Sequence, residues 1–116
     1  MHYLDEENLK KIALVRSHLE KTKDEDWCLD VVRSKDQNKN CFFGHVFNIG
    51  KNDKEGSDWW HWTEAVIGTT YMVYPINDGT DKRYPQSTPR KRMIAHIDDI
   101  LSGKEKSGLE LWMDHQ

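Results

Sequence analysis

The chain has 116 residues, 17 basic and 20 acidic, for a net charge of −3; that is one domain's worth of sequence, 1–116, long enough to form a core without disulfides or metal. So balanced a charge excludes a protein that wraps a long polyanion such as duplex DNA, and any phosphate recognition has to be local. Because 32% of the residues are charged, the five tryptophans and four tyrosines have to carry much of the burial.

The first predicted element is an amphipathic helix over Asp5 to Thr22, with Asp5 as cap and Leu9, Ile12, Ala13, Val15 and Leu19 at mostly helical spacing. Its first turn is acidic and its end carries Lys21 and Lys23, in keeping with the backbone dipole. Trp27, Leu29 and Val31 alternate with Cys28, Asp30 and Val32, which reads as a short strand entering the turn-rich Ser34 to Asn40. Cys41 to Ile49, closed by Gly50, fits either a short buried helix or the returning arm of a hairpin. Lys51 to Ser57 reads as an exposed loop.

Beyond that loop, Ser57 caps a helical segment in which Trp59, Trp62, Val66 and Thr70 share one face and Trp60, Ile67 and Tyr71 another. Two aromatic faces on one helix suggest that one of them meets a second subunit or lines a pocket. Tyr71 to Pro75 has strand composition, and Asn77-Asp78-Gly79 is a strong turn signal. Ser87, Thr88 and Pro89 open a last long helix with Met93, Ile94, Ile97, Ile100 and Leu101 inward and Gly103 as its stop. The tail Leu109 to Met113 is apolar enough to dock, most economically across a neighbouring subunit. The expected fold class is α+β: one small domain, mostly helical, with a short antiparallel sheet, forming a homo-oligomer.

The last long helix has its charges reversed. Arg90, Lys91 and Arg92 crowd its N-terminus, where the backbone prefers anions, and Asp98 and Asp99 lie towards its other end. An anionic ligand at the helix start would account for this, and so would an acidic side chain that neutralises a solvated basic turn. The bound species suggested by the first account is a compact nucleotide. Arg90 and Arg92 would hold its phosphates with Lys91 and Thr88 beside them, Tyr71, Tyr74 and Trp60 would offer stacking faces, and Asn77 and Asp78 would meet ribose or base edges. Dipole electrostatics alone also expects Arg90→Ala and Arg92→Ala to leave folding unchanged or slightly improved.

Chemistry of other kinds finds less support. Cys41 and His45 would share a face of a helix, but no CxxC, HxxxH or HExxH spacing supplies further metal ligands, and Cys41 beside Phe42 and Phe43 reads as a buried hydrophobe rather than a nucleophile. Asp98 with Asp99, and Asp24 with Asp26, do not share a proton-transfer geometry. No glycine-rich phosphate loop is present. No catalytic residue, metal site or cofactor is assigned. Two cysteines and no apolar run of membrane length point to the cytoplasm, with reduced thiols.

The order Trp27-Cys28, then Asn40-Cys41-Phe42-Phe43-Gly44-His45, then Tyr74-Pro75-Ile76-Asn77-Asp78-Gly79, then Tyr84 to Arg92 resembles the phage-encoded Thoeris anti-defence proteins of the first type. The resemblance implies a non-catalytic sponge for cyclic ADP-ribose isomers made by bacterial TIR-domain enzymes. It also implies homodimers or larger assemblies with pockets between subunits, at work in the cytoplasm of the infected host, with no duplex nucleic acid or membrane as partner. Two other readings are kept: a phage inhibitor that blocks a host enzyme by direct protein contact through its Trp-rich face, and a small nucleotide hydrolase built around His45, His61 and Asp78.

Overall fold

A computed structural model describes residues 4–35 and 38–116. The helix expected at the start is α1, Glu6–Lys21, and Asp5 caps it by accepting the Asn8 N–H at 2.8 Å. A 3-10 turn, Asp24–Asp26, leads into irregular chain, followed by α2 (Phe42–Phe47), α3 (Asp53–Val66), α4 (Thr70–Asp78), α5 (Pro89–Ser102) and α6 (Gly108–Asp114). Helix α5 is the spine: it packs on α1, α4 and α2, while α3 bridges α2 and α6. Ile12, Val15 and Leu19 of α1, Phe42, Phe43 and Val46 of α2, Val73 and Ile76 of α4, and Met93, Ile97 and Ile100 of α5 are all removed from water. Burial on this scale is the main favourable term holding so polar a chain together.

The expected α+β class is corrected: the fold is all-helical, with no strand among the described residues. Two segments read as strands behave otherwise. Trp27 to Val32 is a loop that forms no ladder: single bridges join Trp27 and Arg33 to Asn40, and the Cys28 carbonyl and Asp30 N–H are taken by the side chains of Asn77 and Asp78. Asp30 sits at φ 67°, which breaks any extended run, and Leu29 and Val31 face solvent. Residues 36 and 37 of the expected Ser34 to Asn40 turn lie outside the described residues.

The second segment, Tyr71 to Pro75, is helical. Val73, Ile76 and Asn77 of α4 are buried at i, i+3 and i+4, and this tertiary demand overrides the β propensity of the composition. Pro75 costs the helix one bond, to the Tyr71 carbonyl of the most exposed turn, where water can serve instead. Gly79, at φ 86°, is therefore a left-handed helix stop rather than a hairpin turn.

Two further expectations change. The polar stretch from Lys51 does not stay a loop: Asn52 caps α3 by accepting the Glu55 N–H at 2.9 Å, so the helix starts before Ser57. Both tryptophan faces of α3 are met by the same chain. Trp62 donates to Asn8 Oδ1 of α1 at 3.1 Å, and Trp60 stacks on Phe43 of α2 with centroids 5.1 Å apart. Trp59 and Trp62 also line one shallow pocket and Trp60 another, the second course open to such faces. Cys41 to Ile49, left between helix and hairpin arm, contains α2. No helix is long and apolar enough to cross a membrane among the described residues.

Candidate functional site

The reversed charges of α5 follow from where its N-terminus lies. Helix α1 runs antiparallel to α5, so Lys21 and α4's Asp78 both bring carboxyl-terminal, electronegative helix ends to the place where Arg90, Lys91 and Arg92 emerge. Arg90 Nε and Nη2 donate to the Leu19 and Glu20 carbonyls at 3.2 and 2.8 Å, and Nη1 lies 3.8 Å from Asp24 Oδ1. Arg92 is buried and reaches the other helix end: Nε donates to the Ile76 carbonyl at 2.9 Å, Nη2 to that of Asn77 at 2.8 Å, and Nη1 to that of Gln86 at 2.8 Å. Burial lowers the Arg92 pKa, with Asp78 opposing. Two arginines thus cap two foreign helices.

The other expected site residues scatter. Thr88 caps α5 by accepting the Lys91 N–H at 3.2 Å, and its hydroxyl donates to Asp24 at 2.8 Å. Asn77, fully buried, accepts the Phe42 N–H at 3.0 Å and so caps α2, while its amide donates to Cys28 O and to Asp78 Oδ1. Asp78 also accepts the Asp30 N–H at 3.2 Å. Trp60 and Tyr74 both pack on the Phe43 ring. Lys91 is exposed beside Arg90 on a shallow groove shared with Glu20, Ile94, Ala95 and Asp98, where Arg16 of α1 pairs both carboxylates. Tyr71, 92% exposed, stands apart on α4. The structure brings Asn77, Asp78 and Arg92 together, and Arg90 with Lys91, but it does not gather all nine in one pocket.

One variant measures this geometry directly. Arg90→Ala removes two charge-assisted bonds to the end of α1 and is expected to lower unfolding free energy by about 1–2 kcal/mol, opposite in sign to the dipole expectation. Urea denaturation of wild type and variant reads it as a drop in midpoint at constant slope.

A better-formed concavity lies between α4, α5 and α6. It encloses about 440 Å³ and is lined by Tyr71, Met72, Pro75 and Ile76, by the cations Arg83, Lys104 and Lys106 against the carboxylates Asp81 and Glu105, and by His96 and Leu111. Arg83 is held by Asp81 at 2.8 Å and Glu105 at 3.1 Å, and Lys106 pairs with Asp114. These pairs fix the rim, where the three cations, Lys104 included, are matched by the three carboxylates Asp81, Glu105 and Asp114.

His96 forms part of its wall. Its ring is buried, and Nδ1 lies 3.0 Å from the Tyr84 hydroxyl, which in turn donates to Asp99 Oδ2 at 3.0 Å. Since Tyr84 gives its only proton to Asp99, His96 Nδ1 carries the hydrogen and Nε2 is a lone-pair acceptor. Nε2 is buried with no partner. Such an atom costs about 1–3 kcal/mol until a donor reaches it. Burial, then the charge of Arg83, brings the His96 pKa down to about 4, so the ring is neutral at pH 7. Burial, followed by the bond to Asp99, raises the Tyr84 phenol and keeps it a donor.

Sequence reasoning did not single out His96, although the signal was there: it is a polar residue three after Met93 and four before Ile100, on the stripe that faces the core. Arg83, Lys104 and Lys106 lie in loops and carried no spacing to find them by. The residues proposed for a hydrolase are separate. His45 packs on Trp27 with centroids 4.4 Å apart and meets the Asp26 carbonyl, while His61 is exposed beside Glu64. Among the described residues no hydrogen bond or ion pair joins them to Asp78, and no three His, Cys, Asp or Glu side chains gather to hold a metal.

No family model, curated protein or solved structure matches the chain. The likeness to the Thoeris anti-defence proteins therefore stands on the residues quoted for it alone.

Proposed function

We propose that the protein is a non-catalytic binder that sequesters a cyclic ADP-ribose-type signalling nucleotide, so that a bacterial anti-phage effector stays idle. The observation that carries this reading is the α4–α5–α6 cleft, in which the exposed ring of Tyr71 shares one concavity with Arg83, Lys104 and Lys106. A pyrophosphate suits Lys104 and the N–H donors of Arg83, an adenine suits an aromatic face, and enclosure with preformed donors gives affinity without any catalytic group. The groove of Arg90 and Lys91 is a poorer host, because none of its lining side chains is aromatic.

The binder works as a homodimer or larger homo-oligomer in the cytoplasm of the infected host. Tyr71, Leu111, Trp112 and Met113 leave apolar surface exposed on α4 and α6, and a second subunit seated there would add walls to the cleft.

The test is capture. Protein is incubated with a purified cyclic ADP-ribose isomer, free nucleotide is filtered away, the protein is heat-denatured, and the released material is analysed. Intact nucleotide, with capture at least tenfold weaker in Tyr71→Ala and Lys104→Glu and unchanged in Lys91→Glu, is the expected result. Altered nucleotide would establish a hydrolase instead. Nothing captured, together with a host enzyme inhibited by direct contact, would establish the protein-contact reading. Solution mass with and without nucleotide tests the assembly.

A further inference from the structure

We infer that the hollow between α1 and α3 binds a quaternary ammonium group of the choline type, which takes the place over the Trp59 and Trp62 rings that the Lys11 ammonium holds in the free protein. The inference goes beyond the proposed function, and the hollow shares no residue with the α4–α5–α6 cleft.

Glu55, Asp58, Trp59 and Trp62 follow one another along α3 at steps that keep them on one face of the helix, and Lys11 of α1 closes the hollow from the other side. The two indoles stand nearly at right angles, with centroids 5.6 Å apart and planes at 82°. Trp62 is fixed in that pose because its N–H donates to Asn8 Oδ1 at 3.1 Å, and Asn8 lies on the turn of α1 before Lys11. Over this corner lies Lys11 Nζ, 6.0 Å from the Trp59 ring centroid and 5.6 Å from that of Trp62. The nearby ion pairs are Lys10 with Glu6 and Lys54 with Asp58, and among the described residues none includes Lys11, so the ring faces are what hold its charge.

The chain's own cation thus marks a place where a cation is attracted. A lysine ammonium suits that place poorly, being compact and strongly hydrated. A trimethylammonium group carries the same charge behind methyl groups, which lie on indole faces without giving up hydrogen bonds to water. Glu55 supplies a counter-charge at the rim: its carboxylate accepts from the neutral Asn52 amide at 3.3 Å, whereas Asp58 is shared with Lys54. At about 230 Å³ the hollow is smaller than the roughly 300–1,000 Å³ of sites that enclose a whole drug-sized ligand, so it takes a headgroup and not a nucleotide.

The experiment uses the full chain labelled with nitrogen-15 in its indoles, titrated separately with choline, with neohexyl alcohol, which has the same shape and no charge, and with ethanolamine, which has the charge and no methyl groups. The Trp59 and Trp62 N–H resonances should shift saturably with choline while that of Trp112 stays in place, and both other compounds should bind at least fivefold more weakly. Lys11→Gln clears the corner without altering either ring and should bind choline at least threefold more tightly. Lys10→Gln removes the same charge from the adjacent position of α1 and should stay within twofold of wild type, which separates displacement from a general change in field. No saturable shift of Trp59 and Trp62, neohexyl alcohol or ethanolamine binding as tightly as choline, or Lys11→Gln binding choline no more tightly than Lys10→Gln would each overturn the inference.

Discussion

Arg92→Met is expected to lower the unfolding free energy by about 3–5 kcal/mol, the largest effect of any single surface-proximal cation in this chain. Arg92 is 7% exposed, and its guanidinium spends its donors on three carbonyls, two from the end of α4 and one from Gln86 in the loop before α5. Methionine fills much of the volume but leaves those acceptors buried and unpaired, and an orphaned polar group costs more than a made bond gains. Arg92→Lys keeps the charge yet cannot reproduce a planar fork aimed at three oxygens, so it should recover only part of the loss. Gly79 adds a constraint, since a Cβ there would lie 3.2 Å from the Arg92 Cζ in a backbone at φ 86°. Thermal unfolding should show the methionine variant melting more than about 10 °C lower. An unchanged melting temperature would mean that helix-end capping by Arg92 is not what holds α4 to α5.

The same residue shows where sequence reasoning reached and where it stopped. Local chemistry was legible: Asp5, Thr88 and Gly103 mark helix ends where they were expected, because capping depends on residues three or four apart. The reversed charge of α5 was also a true signal, but its partner was not local. The anion-like ends that Arg90 and Arg92 serve belong to α1 and α4, about 70 and 15 residues earlier in the chain, and only the antiparallel packing of α1 on α5 brings the first of them there. Asn77 has a distant partner too, since the amide it caps is 35 residues away. Composition misled at α4, where tyrosine, valine and proline read as strand until burial of Val73, Ile76 and Asn77 on one face is known. The two tryptophan faces of α3 were legible as two, to be met by a second subunit or to line a pocket; α1 and α2 cover part of each, and Trp59 and Trp62 line one shallow pocket and Trp60 another.

Acid should destabilise the protein well before its carboxylates begin to titrate. His45 and His96 are each nearly inaccessible and have pKa values brought down to about 4, both chiefly by burial, and His18 is lowered in the same direction. An unfolded chain binds protons at these positions near pH 6.5, while the folded chain does not until about pH 4. The stability that the neutral rings confer is complete above pH 6.5, and it drains away as pH falls through that value towards 4. At full development each ring withdraws on the order of 3 kcal/mol, against a typical total of 5–15 kcal/mol. Asp81, whose pKa is lowered mainly by its bond to Arg83, acts in a later window: its contribution is present above the ordinary carboxylate pKa and is lost only below it. Urea midpoints measured from pH 7.5 to 4.5 should therefore fall steeply, and the double variant His45→Gln with His96→Gln, less stable at pH 7.5, should show a much flatter profile. A wild-type profile already flat across that range would require both rings to take up a proton without unfolding, and hence a solvent path to Nε2 of His96 that the buried wall of the cleft does not provide.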